Sequence, residues 1–256
     1  MKYITLNNGI KMPMVGLGTW KLCGKSGKDS IIEALQIGYR LIDTAQMYGN
    51  EEIVGEAIKE SKINREDIFI TTKLDQSSAG YQEAKKGIER SLKALQTDYI
   101  DLYQMHNVKP AEYDTIFGED RAYRALLEAK EAGKIKHIGI TSHGLETVEK
   151  AVESGKFETI QFPYNIVENQ ADEVFKKAHE KGVGTIVMKP LAGGAIDDGT
   201  LAMKYILSRE YIDVAIPGMD TPEQVRKNTA VLANFELTEE DNVKITKIKS
   251  ELGTNF

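Results

Sequence analysis

Apolar residues along this chain recur in two alternating patterns, and the alternation itself repeats. Short apolar runs near 15–19, 39–43, 68–72, 99–105, 135–141, 159–163, 184–188 and 213–217 are rich in β-branched residues, which predicts strands. Between them the spacing changes to three and four, as at Ile53, Val54, Ala57 and Ile58, at Ala84, Ile88, Leu92 and Leu95, and at Ala122, Ala125, Leu126 and Ala129. Leu145, Val148, Ala151 and Val152 repeat it, as do Ala171, Val174, Phe175 and Ala178. Each such segment presents one apolar stripe that a helix buries against a sheet. Gly133, Gly155 and Gly182 follow three of these segments as stop signals.

Strands alternating with helices imply a parallel sheet, so the fold class is α/β. Eight units suit a closed (β/α)8 TIM barrel, while an open doubly wound sheet uses nearly as many. The missing Gly-x-Gly-x-x-Gly turn favours the barrel. Gly16-Leu-Gly18 lacks the third glycine and reads as close backbone packing. The 256 residues fit one domain, with a hairpin cap over 1–14, the barrel over 15–233 and an extra helix over 238–252. Two strand-like arms around Asn7-Asn8-Gly9 predict the hairpin, placed to cap the closed end of the barrel. Thr238-Glu-Glu-Asp241 is a helix-start signature, and Ile245 and Ile248 follow it.

Composition narrows the function more than the fold. A net charge of −6 argues against nucleic acid, whose phosphates need a concentrated basic face. The single cysteine, Cys23, excludes an intrachain disulfide and a cysteine-ligated cluster, and no metal site is expected. It also suits a reducing compartment. No basic-then-apolar leader precedes the first strand, and the uncharged run Gly182 to Met188 is too short to cross a bilayer. The expectation is a cytoplasmic protein with no membrane partner.

Chemistry concentrates at predicted strand ends. Asp43 and Tyr48 stand five residues apart where the second strand runs into a loop. Lys73 closes Ile68-Phe-Ile-Thr-Thr72, and His106 closes Tyr99-Ile-Asp-Leu-Tyr-Gln-Met105. In a parallel barrel the C-terminal strand ends open on one face, so the four side chains would share a pocket. Singly, they read as a structural ion pair, a rim aromatic and a core histidine; together they favour a site.

The segments Gly16-Leu-Gly-Thr-Trp20, Asp43-Thr-Ala-x-x-Tyr48-x-Asn50-Glu51, Thr72-Lys73 and Asp98-Tyr-Ile-Asp-Leu-Tyr-x-x-His106 resemble the successive signatures of the aldo-keto reductase family. The resemblance covers nearly the whole chain. It implies a barrel that binds an extended nicotinamide cofactor, reduces carbonyls, and uses Asp43, Tyr48, Lys73 and His106 as a catalytic tetrad. Tyr48 would be the general acid. A free phenol has a pKa of about 10, and the Lys73 ammonium is expected to lower it while Asp43 keeps the lysine charged. The three would titrate as one group, and His106 would orient the carbonyl.

The same resemblance implies the remaining site. Gly18, Thr19 and Trp20 lie at the first strand end, Ser142 and His143 at the fifth, and Gln161 at the sixth. Met188 stands where many members stack a tyrosine on the nicotinamide. Lys189, Pro190, Leu191 and Gly193 belong to a loop offering backbone donors to pyrophosphate. Gln161–Asn165 and Met188–Gly194 also resemble bacterial and archaeal branches, some of them fused to iron-sulfur domains. At the adenosine end, Gly218, Met219 and Gln224 replace the usual lysine, serine and arginine. Asp220 is placed to accept from a ribose hydroxyl, Arg226 is a candidate substitute cation, and Asn228 reads either as a contact to adenine or as an interruption of a surface helix. NADP is the family expectation and NAD the alternative.

Trp20 and Met47 should flank the carbonyl beside Tyr48 and His106, with Asn107 where many members carry tryptophan. An open, permissive pocket for small aldehydes or ketones follows, in a monomer. Two rivals differ in class. One is an aldolase forming a Schiff base on Lys73, which needs a neutral lysine against the pull of Asp43. The other is a cofactor-binding regulatory protein with little turnover, against which the intact tetrad argues.

Overall fold

The computed structural model describes residues 2–6, 9–228 and 234–253. A hairpin comes first, with β1 (Tyr3–Thr5) antiparallel to β2 (Lys11–Pro13) and Tyr3 opposite Pro13. The predicted turn residues Asn7 and Asn8 lie outside the described residues, as do 229–233 at the predicted end of the barrel.

Eight strand-helix units follow. They are β3 (Leu17–Gly18) and α1 (Gly24–Gln36), β4 (Leu41–Asp43) and α2 (Glu51–Ser61), β5 (Phe69–Leu74) and α3 (Tyr81–Ala94), and β6 (Ile100–Met105) and α4 (Ala122–Glu131). The second half is β7 (Ile135–Thr141) and α5 (Leu145–Ser154), β8 (Thr159–Pro163) and α6 (Asp172–Lys181), β9 (Gly184–Met188) and α7 (Gly199–Leu207), and β10 (Val214–Ala215) and α8 (Pro222–Lys227).

β3 to β10 pair in chain order, all parallel. Bridges from Val15 to Ala215 and from Gly18 to Gly218 join the first strand to the last, and Gly18 N–H donates to Pro217 O at 2.9 Å. The eight-stranded TIM-type barrel is therefore as expected. β7, β8 and β9 match their predicted bounds, but the first and eighth strands shrink to two residues each. Only a few ladder bonds close the barrel there, and a Cβ at Gly18 would fall 3.2 Å from Ile216 O. Backbone approach of that kind is what the Gly16-Leu-Gly18 reading anticipates.

Two cores result. The larger lies between sheet and helices and buries the stripe residues Val54, Ala57, Ala84, Ile88, Ala125 and Val148. The smaller fills the closed end, where Leu6, Ile10 and Met12 of the hairpin region meet Leu41, Leu102, Ile186, Val214 and Ile216. Burying each such aliphatic side chain contributes roughly 1.5–3 kcal/mol, enough to hold the hairpin as a plug. The extra helix, α9 (Glu239–Leu252), starts at a capping box in which Thr238 and Asp241 satisfy each other's amides at 3.1 and 3.0 Å. Asp241 also pairs with Lys204 of α7 at 2.9 Å.

Candidate active site

All four tetrad candidates come from C-terminal strand ends or the loops just past them. Asp43 ends β4, Lys73 lies in β5, and His106 follows β6 by one residue. Tyr48 closes a 3-10 turn, Gln46–Tyr48, whose chain reverses at Gly49 with φ 66°. Glycine takes that left-handed conformation without a Cβ clash.

The centre is an ammonium with three partners for its three protons. Lys73 Nζ donates to Asp43 Oδ1 at 2.6 Å, to Thr44 O at 2.7 Å and to Tyr48 OH at 3.5 Å. Asp43 and Lys73 are 2% and 1% exposed, so neither charge is solvated and each requires the other. Burial works to lower the Lys73 pKa, but its partners, the Asp43 carboxylate foremost, outweigh it and hold the amine above its ordinary value. Burial pushes the Asp43 carboxyl up, and Lys73 opposes that shift.

Tyr48 departs from the sequence expectation. Burial raises the phenol above its ordinary value; Lys73 pulls it back only in part, and Asp43 adds to the rise. Loss of water around the phenolate outweighs one ammonium at 3.5 Å. The ring of Tyr48 meets that of His106 edge-on, with centroids 5.9 Å apart. His106 is pushed down to about 4, first by burial and then by Lys73, so its imidazole is neutral at physiological pH. Its Nδ1 is buried without a partner among the described residues, an orphaned polar atom at the centre of the site.

Around this centre the motif's polar residues are structural ties. Asn50 Oδ1 accepts from Thr44 Oγ1 at 2.7 Å, while Asn50 Nδ2 donates to Thr19 O and Leu22 O at 2.7 and 3.0 Å. Thr72 Oγ1 donates to Glu51 at 2.6 Å. The motif flags Asn50 and Glu51 in the sequence, but not what they bind. Gln46 falls at an unspecified position of the same motif, which carries no signal, yet its amide reaches Gly87, Ser91, Tyr103 and Asp75.

The other expected residues divide into rim, wall and frame. Trp20 and Met47 stand at the rim, 62% and 56% exposed. Thr19 is frame, because both its N–H and its hydroxyl donate to Asp43 O at 3.0 Å. Asn107 follows His106 with φ 46° and is tied through its N–H to Thr141 Oγ1. Ser142 is fully buried; it donates to Val108 O at 2.6 Å and accepts from Gly144 N–H at 2.9 Å, so its hydroxyl organises the loop. Gln161 Oε1 accepts from Gln104 Nε2 at 2.7 Å. His143 exposes much of its surface, yet burial of the ring and then Lys189 hold its pKa down.

Met188 is half-buried at the end of β9. After it, Lys189, Ala192, Gly193 and Gly194 have φ of 56, 49, 69 and 104°, with Pro190 buried and Leu191 partly buried between them. A loop turning this way offers a concave run of backbone groups. Asn165 Nδ2 donates to Lys189 O at 3.2 Å and fixes the loop's start.

The adenosine-end residues are less available than the sequence suggests. Met219 is 1% exposed, and its sulfur accepts from Tyr39 OH at 3.8 Å, since an apolar thioether packs inward. Gln224 Oε1 is taken by Asp220 N–H at 2.7 Å. Arg226, expected as a substitute cation, is exposed and paired with Glu33 at 2.9 Å. Gly218 and Asp220 are exposed, and Asn228 lies against Gly199 at the start of α7. Met188 and the 189–194 loop follow the C-terminal end of β9, and Asp220 follows β10, on the open face of the barrel.

The chain is similar to known proteins over most of its length. The chain is 33% identical over 265 residues to methylglyoxal reductase DkgA of Escherichia coli (strain K12), spanning 96% of this chain and 92% of that one. It is 30% identical over 266 residues to a glyoxal reductase of Bacillus subtilis (strain 168), spanning 97% and 93%. The crystal structure of an aldo/keto reductase from Brucella melitensis superposes with a TM-score of 0.82 at 33% identity, covering 96% of this chain and 99% of that one. With the Aldo/keto reductase family model matching residues 14–200 as well, the chain belongs to the aldo/keto reductase family.

Proposed function

We propose that this protein reduces small aldehydes and ketones to alcohols, with Tyr48 as the proton donor. The observation that carries the reading is the Lys73 ammonium, held by Asp43 at 2.6 Å and facing the Tyr48 hydroxyl at 3.5 Å. A reduced nicotinamide bound on this face would supply the hydride. The protein's own residues deal with the proton. Burial keeps Tyr48 protonated at neutral pH, the form an acid needs. Once the proton leaves, the phenolate sits beside an ammonium that cannot easily discharge, so the charge is stabilised as it forms. Neutral His106 is available to hydrogen-bond the carbonyl oxygen, and its orphaned Nδ1 has no partner among the described residues.

The relatives' names point to α-oxoaldehydes, and we take methylglyoxal and glyoxal as the first substrates to test. Exposed Trp20 and Met47 form a wide rim, which fits small, varied carbonyls. Lys73 as a Schiff-base nucleophile fits poorly, because its amine is held protonated and fully hydrogen-bonded. The regulatory reading has no supporting feature in the site.

NADPH is the cofactor we infer, and one observation favours a second reading. Arg226 is occupied by Glu33, so a free ribose hydroxyl facing Asp220 would suit NADH. The experiment is a fluorescence titration with NADPH and NADH, followed by absorbance assays on a carbonyl panel. Turnover with either cofactor supports the reading; binding without turnover of any carbonyl sinks it.

A further inference from the structure

Gln46 makes four side-chain hydrogen bonds, and they reach α3, β6 and the residue just past β5. Its Nε2 donates to Gly87 O at 2.6 Å, Ser91 Oγ at 2.9 Å and Tyr103 OH at 3.1 Å, and its Oε1 accepts from Asp75 N–H at 2.9 Å. Asp75 follows Lys73 by two residues, and Tyr103 precedes His106 by three on β6. Gln46 itself opens the 3-10 turn that Tyr48 closes.

The bonds close on one another. Ser91 Oγ and Tyr103 OH hydrogen-bond each other at 3.2 Å, and Gln46 Nε2 lies within hydrogen-bond distance of both. One amide proton of Gln46 goes to Gly87 O, and the other is shared between the two hydroxyls. Both amide protons and the oxygen of Gln46 are thereby satisfied, which restrains the network. The floor is shaped for it as well. A Cβ at Gly87 would fall 2.8 Å from Leu74 Cδ1 and 3.3 Å from Gln46 Nε2.

Asn50 anchors the chain beyond the turn, but the turn itself has few other side-chain ties. Its flanking residue makes no side-chain cap, Met47 is exposed, and among the described residues the hydroxyl of Tyr48 bonds only Lys73. We propose that Gln46 is a positioning residue that sets the distance between the Tyr48 hydroxyl and the Lys73 ammonium. Without its amide, the turn is free to lift from α3 and β6, and the phenol drifts from the charge that stabilises its phenolate. The inference rests on the proposed carbonyl reduction for its kinetic consequence, though not for its geometry.

The test compares wild type with Gln46→Met, which keeps length but cannot hydrogen-bond, and with the milder Tyr103→Phe. Both are assayed with methylglyoxal and the better nicotinamide cofactor, and a crystal structure of Gln46→Met is solved. Expected are a roughly tenfold lower kcat for Gln46→Met with KM and cofactor Kd within about twofold, and a smaller loss for Tyr103→Phe. The limb on which kcat falls at high pH should move up by about half a unit or more, because Tyr48 loses part of its ammonium. The crystal structure should show the Tyr48 to Lys73 separation lengthened. A lower melting temperature with unchanged kcat and an unmoved limb would overturn the proposal, leaving Gln46 a fold residue only. If wild type turns over no carbonyl, the functional reading fails by itself. The crystal structure then decides, an unchanged separation refuting the positioning role and a longer one supporting it.

Discussion

The Tyr48 hydroxyl lies 3.5 Å from the Lys73 ammonium, the outer limit of a hydrogen bond, with the lysine fully buried and the tyrosine partly so. At that distance the ammonium does not outweigh the desolvation of a phenolate, and Tyr48 stays protonated. On the proposed reading, the pair releases a proton when an acceptor arrives rather than sitting ionised beforehand.

The Asp43–Lys73 pair should behave as a buried salt bridge whose members cannot be removed singly. Lys73→Met leaves a carboxylate uncompensated and should cost about 3–5 kcal/mol in urea unfolding. Asp43→Asn combined with Lys73→Met should recover most of that loss while remaining inactive. A single variant as stable as wild type would mean that Asp43 is neutral in the folded protein.

His106 should be visible in the acid limb of stability. Its pKa is about 4 when folded, against 6.5 ordinarily, so between those values the unfolded chain binds the proton more readily. Stability therefore falls as pH drops from about 6.5 to about 4, with a contribution of about 2–3 kcal/mol from this group. Denaturation of His106→Gln across pH 4 to 7 should show a shallower decline than wild type. Parallel curves would show that the imidazole is not shielded.

Gly55 on α2 offers a test of packing against propensity. In an exposed helix, Gly→Ala gains up to about 1 kcal/mol. Here a new Cβ would fall 2.7 Å from Ala94 O and from Leu95 C, backbone atoms that cannot rotate aside. Gly55→Ala should destabilise by about 1–3 kcal/mol as α2 is pushed from the end of α3. A gain in melting temperature would mean that the two helices separate easily.

Arg226→Ala addresses the cofactor. Because Glu33 occupies that guanidinium, the ratio of kcat/KM for NADPH over NADH should change by less than about threefold. A tenfold fall for NADPH alone would show that Arg226 leaves Glu33 to bind a phosphate.

Much of this was legible in the sequence because strand ends are marked by abrupt changes of pattern. Apolar runs ending in Asp43, Lys73 and His106 need only a parallel barrel to bring those residues together, and period gives the barrel. The short first and eighth strands were overextended because Ile216 and Pro217 continue an apolar run past the last ladder pair. Gln46 was invisible because its partners, Gly87, Ser91 and Tyr103, lie 41 to 57 positions away. Met219 was misplaced because a residue number within a motif says nothing about which way its side chain turns. The balance on Tyr48 also escaped, since sequence supplies the charge of Lys73 but not the water lost around the phenol.

The most direct test of the central claim is turnover of methylglyoxal by wild type and Tyr48→Phe, measured beside cofactor binding. Tyr48→Phe should bind the cofactor within about twofold of wild type and lose at least about a hundredfold in kcat, the range expected for a missing general acid. Equal rates in the two proteins would contradict the account, because the proton would then be coming from somewhere other than the phenol that Lys73 faces.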